Sequence, residues 1–170
     1  DTAIAAGSFE VQGPNTDTFV CTMGASCAVS LTGQGLANGD EIVVVAGSTC
    51  GGASTEASWA SRTAQASGAF ALGTPLAGSV GFAYTVCWAR GATDVADFGV
   101  PVGAIALFGP NAPASVLSCT LGDPCEVVLA GAGLSITSRV AVVSGLCGVS
   151  TGVMNGAPTI TDSGASATYT

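Results

Sequence analysis

The sequence predicts an all-β protein built as two small tandem β-sandwich units stapled by disulfides. Three observations point there: the apolar residues fall in short β-branched runs bounded by turn residues, no segment keeps a helical apolar period, and the chain repeats itself once, cysteines included. In chain order the runs are Cys27–Leu31, Glu41–Val45, Ala69–Leu72, Val80–Val86, Val127–Leu129 and Val140–Val143. Clusters of Gly, Asn, Asp and Ser separate them, residues that supply positive φ and local hydrogen bonds at turns. Long helices are not expected, because no stretch joins the helical period to end caps. About seven short strands in each unit of roughly 90 residues suits an immunoglobulin-like sandwich, with a jelly roll as the alternative.

The repeat emerges when the chain is aligned on itself. Asp1–Asn15 (DTAIAAGSFEVQGPN) lies without a gap on Asp97–Asn111 (DFGVPVGAIALFGPN). Asp1, Gly7, Gly13, Pro14 and Asn15 recur as Asp97, Gly103, Gly109, Pro110 and Asn111, while Ile4, Phe9 and Val11 fall on Val100, Ile105 and Leu107. Cys21–Leu36 then lies on Cys119–Leu134, Glu41–Gly51 on Arg139–Gly148, and Ala83-Tyr84-Thr85 on Thr168-Tyr169-Thr170. Unit 1 accordingly spans residues 1–98 and unit 2 residues 99–170, with residues 97–107 a shared strand or linker.

Seven cysteines in 170 residues read as a disulfide framework. Such bonds persist outside a reduced cytosol, so a secreted or cell-surface location is expected. Spacing alone leaves the connectivity open; the repeat favours Cys21 with Cys27, Cys50 with Cys87, and Cys119 with Cys125. Cys147 occupies the place of Cys50, and the counterpart of Cys87 is expected two residues past Thr170. Cys147 is therefore expected to be unpaired or to bond another molecule.

Charge is scarce. Only 8% of residues are charged and the net charge is −8, with no His and with Arg62, Arg90 and Arg139 as the only cations; soluble domains average about 25% charged. A phosphate backbone or an anionic membrane surface finds nothing to bind, which excludes nucleic-acid partners. The apolar stretch Phe98–Phe108 is too short, and too broken by Gly99, Pro101 and Gly103, to cross a bilayer. A mean hydropathy of +0.60 without a membrane span implies apolar surface covered by neighbouring copies or by glycans. Ser54–Ser67 and Thr159–Thr170, rich in Ser and Thr, are candidate O-glycosylation segments, whereas no N-x-S/T sequon occurs.

Catalysis has little to draw on. Without His or Lys the commonest general bases and activated amines are missing, and no Ser lies in a nucleophile elbow, so no enzyme activity and no cofactor is expected. The C-x5-C pairs read as staples and not as thiolate metal ligands. Asp40-Glu41, Asp94 with Asp97, and Asp123 with Glu126 offer carboxylate oxygens, but none sits in a dense Asp/Asn/Gly calcium loop, and no metal is assigned. Trp88, beside Cys87, is expected to pack on that disulfide, and Trp59 in its polar stretch is the candidate aromatic surface for a sugar.

The segment ending at Leu107 has two jobs, closing unit 1 and leading into unit 2 through Gly109-Pro110. Unit 2 shows no such closing strand, while Asp1–Val11 is a segment of the same kind with nothing upstream to close. Opening at Asp1 without Met, the sequence reads as a mature product or an excerpt of a longer array. Asp1, Ile4, Phe9 and Val11 are thus expected to form an assembly strand entering unit 2 of the next copy. The alternative is an ordinary first strand within a longer covalent array.

The series C-T-x-G-x-x-C, G-x-G-L, C-G, Y-x-V-C-W and then F-x-V-x-V-G-x-I-x-L-x-G-P resembles tandem cysteine-containing β-sandwich repeats of large secreted and surface proteins of unicellular eukaryotes, alveolates among them. The resemblance covers essentially the whole chain. It implies an extracellular tandem architecture and supplies no catalytic residues. A further likeness, to extracellular fibril protomers joined by donor strands, rests on architecture. The expected function is a structural subunit of an extracellular filament or surface appendage that assembles head-to-tail with copies of itself. A carbohydrate- or cell-binding module of adhesin type is the alternative.

Overall fold

A computed structural model describes residues 7–52, 55–65, 68–111, 117–147, 152–156, 158–161 and 166–169. The fold is all-β. Its strands are β1 (Gly13–Pro14), β2 (Asp17–Thr22), β3 (Cys27–Val29), β4 (Gly33–Gln34), β5 (Asp40–Ala46), β6 (Thr63–Ala64), β7 (Phe70–Gly73), β8 (Gly81–Arg90), β9 (Val100–Pro110), β10 (Val127–Ala132), β11 (Val140–Val143), β12 (Gly152–Gly156), β13 (Pro158–Thr161) and β14 (Ser166–Tyr169). One 3-10 turn, Val95–Asp97, precedes β9. No helix among the described residues is long and apolar enough to cross a membrane.

Period-two alternation explains how the first repeat packs. In β5, Ile42 and Val44 point to one face and Val43 and Val45 to the other, and all four are fully buried. β8 divides likewise, with Tyr84 and Val86 on the first face and Cys87 and Ala89 on the second. The first face holds the main core: Val29 of β3, Phe70 and Leu72 of β7, and Val102, Ile105 and Leu107 of β9 meet β5 and β8 there. The β3–β7 pair thus lies across the core from the large sheet. Val102 and Ile105 both face inward, three residues apart, because a register shift at Val86/Cys87 interrupts the β8–β9 ladder between them.

The second face is smaller and carries the Cys50–Cys87 disulfide beside Phe98. Trp88, expected against that bond, points away from it. Neighbours on a strand face opposite sides, so Trp88 joins the main core and Phe98 lies against Cys87 instead.

The sheets do not divide where the two repeats meet. One large sheet runs β13-β14-β10-β9-β8-β5-β6, with β2 also paired to β9. Strand β9 pairs antiparallel with β8, parallel with β2 along Gly103–Phe108, and antiparallel with β10 through Gly109 and Pro110. A single strand therefore closes the first repeat and opens the second.

One expected equivalence is corrected. Thr168-Tyr169 were aligned on Ala83-Tyr84 of β8, yet they lie in β14, which pairs with β10 and β13. In the first repeat the counterpart of β10 is β3, and its partner is β7. β14 therefore takes the place of β7. Tyr169 lies opposite Val127 as Phe70 lies opposite Val29, and the chain from Cys147 to Tyr169 is shorter than that from Cys50 to Tyr84.

Asp40 is the one buried charged side chain of the described core. Arg90 Nε donates to its Oδ1 (2.7 Å) and Arg90 Nη2 to its Oδ2 (3.3 Å), while the Ala37 N–H donates to Oδ2 (2.9 Å). Burial raises the Asp40 pKa, but the Arg90 hydrogen bond, the Ala37 N–H and the Arg90 charge together outweigh it, leaving the carboxyl below its ordinary value. A depressed folded pKa contributes stability above the unfolded value of about 3.9 that is lost as pH falls through the folded pKa. Replacing Arg90 leaves a buried carboxylate short of its partner. Arg90→Met should cost about 2–3 kcal/mol at pH 7, with less of the difference from wild type remaining below pH 4; urea melts across that range measure both.

Candidate assembly interface

The junction between repeats is built twice in this chain. Gly13 and Pro14 pair with Gln34 and Gly33, and Gly109 and Pro110 pair with Ala132 and Gly131. Asn15 N–H donates to the Thr32 carbonyl, and Asn111 N–H to the Ala130 carbonyl, each at 2.7 Å. The close approach explains the glycines. A Cβ on Gly33 would strike the Gly13 carbonyl and Pro14 Cα, and one on Gly131 would strike the Gly109 carbonyl and Pro110 Cα. Two residues on, Gly35 and Gly133 share φ +63° and lie under the side chains of Gln12 and Phe108.

Upstream of the junction the two copies differ. Gly103–Phe108 is laddered to β8 on one edge and β2 on the other, and Ile105 and Leu107 are fully buried. Gly7–Gln12 belongs to no strand. Phe9 and Val11, the counterparts of Ile105 and Leu107, are 90% and 77% exposed. Asp1 and Ile4 lie outside the described residues.

The second repeat is correspondingly open. Val142 is 47% exposed where its counterpart Val44 is fully buried. β5 is flanked by β8 and β6, whereas β11 pairs only with β12 among the described residues. Leu117 and Leu121 are exposed, while their counterparts Phe19 and Met23 pack on the main core. Leu134 is the one buried apolar residue of its own small cluster, with Val127, Leu129 and Val140 half-covered around it.

The chain contains three disulfides, Cys21–Cys27, Cys50–Cys87 and Cys119–Cys125, and Cys147 is exposed and bonded to no other cysteine. The first and third close loops of equal length with Cα–Cα distances of 5.4 and 5.5 Å, so both repeats open on the same staple.

The other candidate residues are held by the fold. Asp97 accepts from the Thr93 N–H, the Thr93 hydroxyl and the Asp94 N–H at 2.8–3.0 Å, and Asp94 caps Ala96, so this pair closes the 3-10 turn. The Thr93 N–H first, then the Asp94 N–H and the Thr93 hydroxyl, hold the Asp97 carboxyl below its usual pKa. Among the described residues no three His, Cys, Asp or Glu side chains converge on a metal site. Trp59, the candidate aromatic for a sugar, packs edge-on against Tyr84 with ring centroids 5.3 Å apart, its indole nitrogen buried. A cleft of about 400 Å³ lies instead beside Trp88, lined by Gln12, Asn15, Gln34 and Val100 among others.

No protein-family model matches the chain, and no curated protein does.

Because Phe9 and Val11 touch no core, the double change Phe9→Asp/Val11→Asp should move the stability of the unassembled chain by less than about 0.5 kcal/mol. Ile105→Asp, at the equivalent buried position, should unfold the first repeat. Thermal melts of dilute protein followed by circular dichroism compare the two.

Proposed function

We propose that the chain is a structural subunit of an extracellular filament or surface appendage, each copy inserting its N-terminal segment as a β-strand into the second repeat of the next. The carrying observation is the contrast between Ile105 and Leu107, fully buried, and Phe9 and Val11, exposed at the same positions of the same motif. A sequence pattern that fits a buried strand, presented unpaired, is suited to a site outside its own repeat. Burying Phe9 and Val11 would contribute about 1.5–3 kcal/mol each, before main-chain hydrogen bonds are counted.

Strand addition satisfies an open sheet edge by backbone pairing, with alternate side chains seated in pockets. Donor and acceptor are different surfaces of the subunit, so the contact is head-to-tail and propagates. The disulfides suit an oxidising location outside the cell. In this reading each repeat is an immunoglobulin-like sandwich, the second completed by the incoming strand. Deleting Asp1–Val11 should abolish filaments in negative-stain electron microscopy while leaving a folded monomer; filaments of normal length would refute strand insertion.

The cleft beside Trp88 favours a second reading, a carbohydrate-binding module. Its indole and the carboxamides of Gln12, Asn15 and Gln34 are the groups that stack on and hydrogen-bond a neutral sugar. Calorimetry with neutral oligosaccharides, on wild type and Trp88→Ala, tests it; no heat with either rejects this reading.

A further inference from the structure

We infer that the strand accepting the N-terminal segment is Leu117–Thr120 and that the donor runs parallel to it, with Phe9 opposite Leu117, Glu10 opposite Ser118, Val11 opposite Cys119 and Gln12 opposite Thr120. The inference rests on the strand-insertion reading and specifies its geometry. The chain supplies its own template. In the first repeat Phe19, Val20, Cys21 and Thr22 of β2 lie parallel to β9, opposite Ile105, Ala106, Leu107 and Phe108. The internal repeat maps the first four onto Leu117, Ser118, Cys119 and Thr120, and the second four onto Phe9, Glu10, Val11 and Gln12.

Both halves of the inferred pair are open. Leu117–Thr120 belongs to no ladder although the Cys119–Cys125 bond anchors it as Cys21–Cys27 anchors β2, and Gly7–Gln12 belongs to none either. How the donor leaves its own repeat is also fixed. β9 is held at Gly109-Pro110 by β10 while its upstream residues close the first repeat, and Gly13-Pro14 is held in the same way by β4.

Two details continue the register. Met23 N–H donates to the Phe108 carbonyl at 2.8 Å, and Met23 is so close to Gly109 that a Cβ there would lie 2.8 Å from its sulfur. Leu121, fully exposed, is the counterpart of Met23 and would cover Gly13. Gly7 is the second detail. A Cβ on its counterpart Gly103 would meet the Asp17 carbonyl and stand 3.0 Å from the Phe19 ring, whereas one on Gly7 meets nothing within 4 Å in its own chain. At residue 7 the chain's own packing sets no steric limit; only the backbone, at φ +130°, favours glycine there, in a stretch that belongs to no strand, whereas the parallel junction would add a collision with a backbone carbonyl.

The test places the photoreactive residue p-benzoylphenylalanine at position 9 or, separately, at position 12, irradiates assembled protein, and maps inter-chain cross-links by mass spectrometry. Position 9 should capture residues at or next to Leu117, and position 12 residues at Thr120 or Leu121. The reversed order would show an antiparallel donor, and capture on β11 or β14 a different acceptor; either overturns the inference. Gly7→Val shifts the backbone only of a stretch that belongs to no strand, so the dilute chain should melt within about 0.5 kcal/mol of wild type while the critical concentration for assembly rises about ten-fold or more; unchanged assembly also overturns it. The Asp1–Val11 deletion separates the two levels. If it still forms filaments, strand insertion itself fails; if it does not and the cross-links fall elsewhere, only the parallel register fails.

Discussion

Strand β9 is paired on both edges from Gly103 to Leu107, and its last two residues are held by a third strand. Much of the chain is arranged around that constraint. A strand gripped on both sides has no room for side chains where neighbouring backbones press in, which accounts for Gly103 against the Asp17 carbonyl and for Gly131 of β10 against the Gly109 carbonyl, while the Met23 side chain lies over Gly109. It also places Ile105 and Leu107 at the centre of the main core. Because the end of the same strand pairs with β10, the two repeats share backbone hydrogen bonds.

The parts of this fold that were legible in the sequence are those dictated by backbone contact. Gly13-Pro14-Asn15 and Gly33-Gln34-Gly35 recur as Gly109-Pro110-Asn111 and Gly131-Ala132-Gly133 because each set forms one bridge in which a Cβ would collide. Short strands were visible for a similar reason, since alternating burial leaves a period-two trace, as in β7 and the inner half of β8. Which strand pairs with which left no such trace. β2 gives no local sign of running parallel to β9, and Asp40 and Arg90, fifty positions apart, meet only because β5 and β8 are neighbours.

The misplaced match at Tyr169 has the same origin. A tyrosine between small or β-branched neighbours fits many strands, and only the shorter chain between Cys147 and Tyr169 distinguishes this one from Tyr84. Trp88 illustrates the converse error. Being next to Cys87 in sequence places it on the opposite face of a strand, so adjacency argued against the contact expected of it.

Scarcity of charge bears on why the open surfaces need a partner. Proteins usually guard sheet edges with lysine or other charged side chains. This chain has no lysine, and its three arginines are committed, Arg90 to Asp40, Arg62 towards Glu41 and Arg139 to the Ile136 and Ser138 carbonyls. Val20, Val128 and Val142 are exposed on strands without that protection. The net charge of −8 repels copies in a general way but guards no particular edge, so specificity must come from shape: glycines that admit a backbone only in one register, and apolar residues spaced to meet it. The β9 junction already satisfies those demands inside one molecule. A contact between molecules that reused them would need no new recognition surface, and successive repeats would then follow one another in the same relation whether or not the chain is covalently continuous between them.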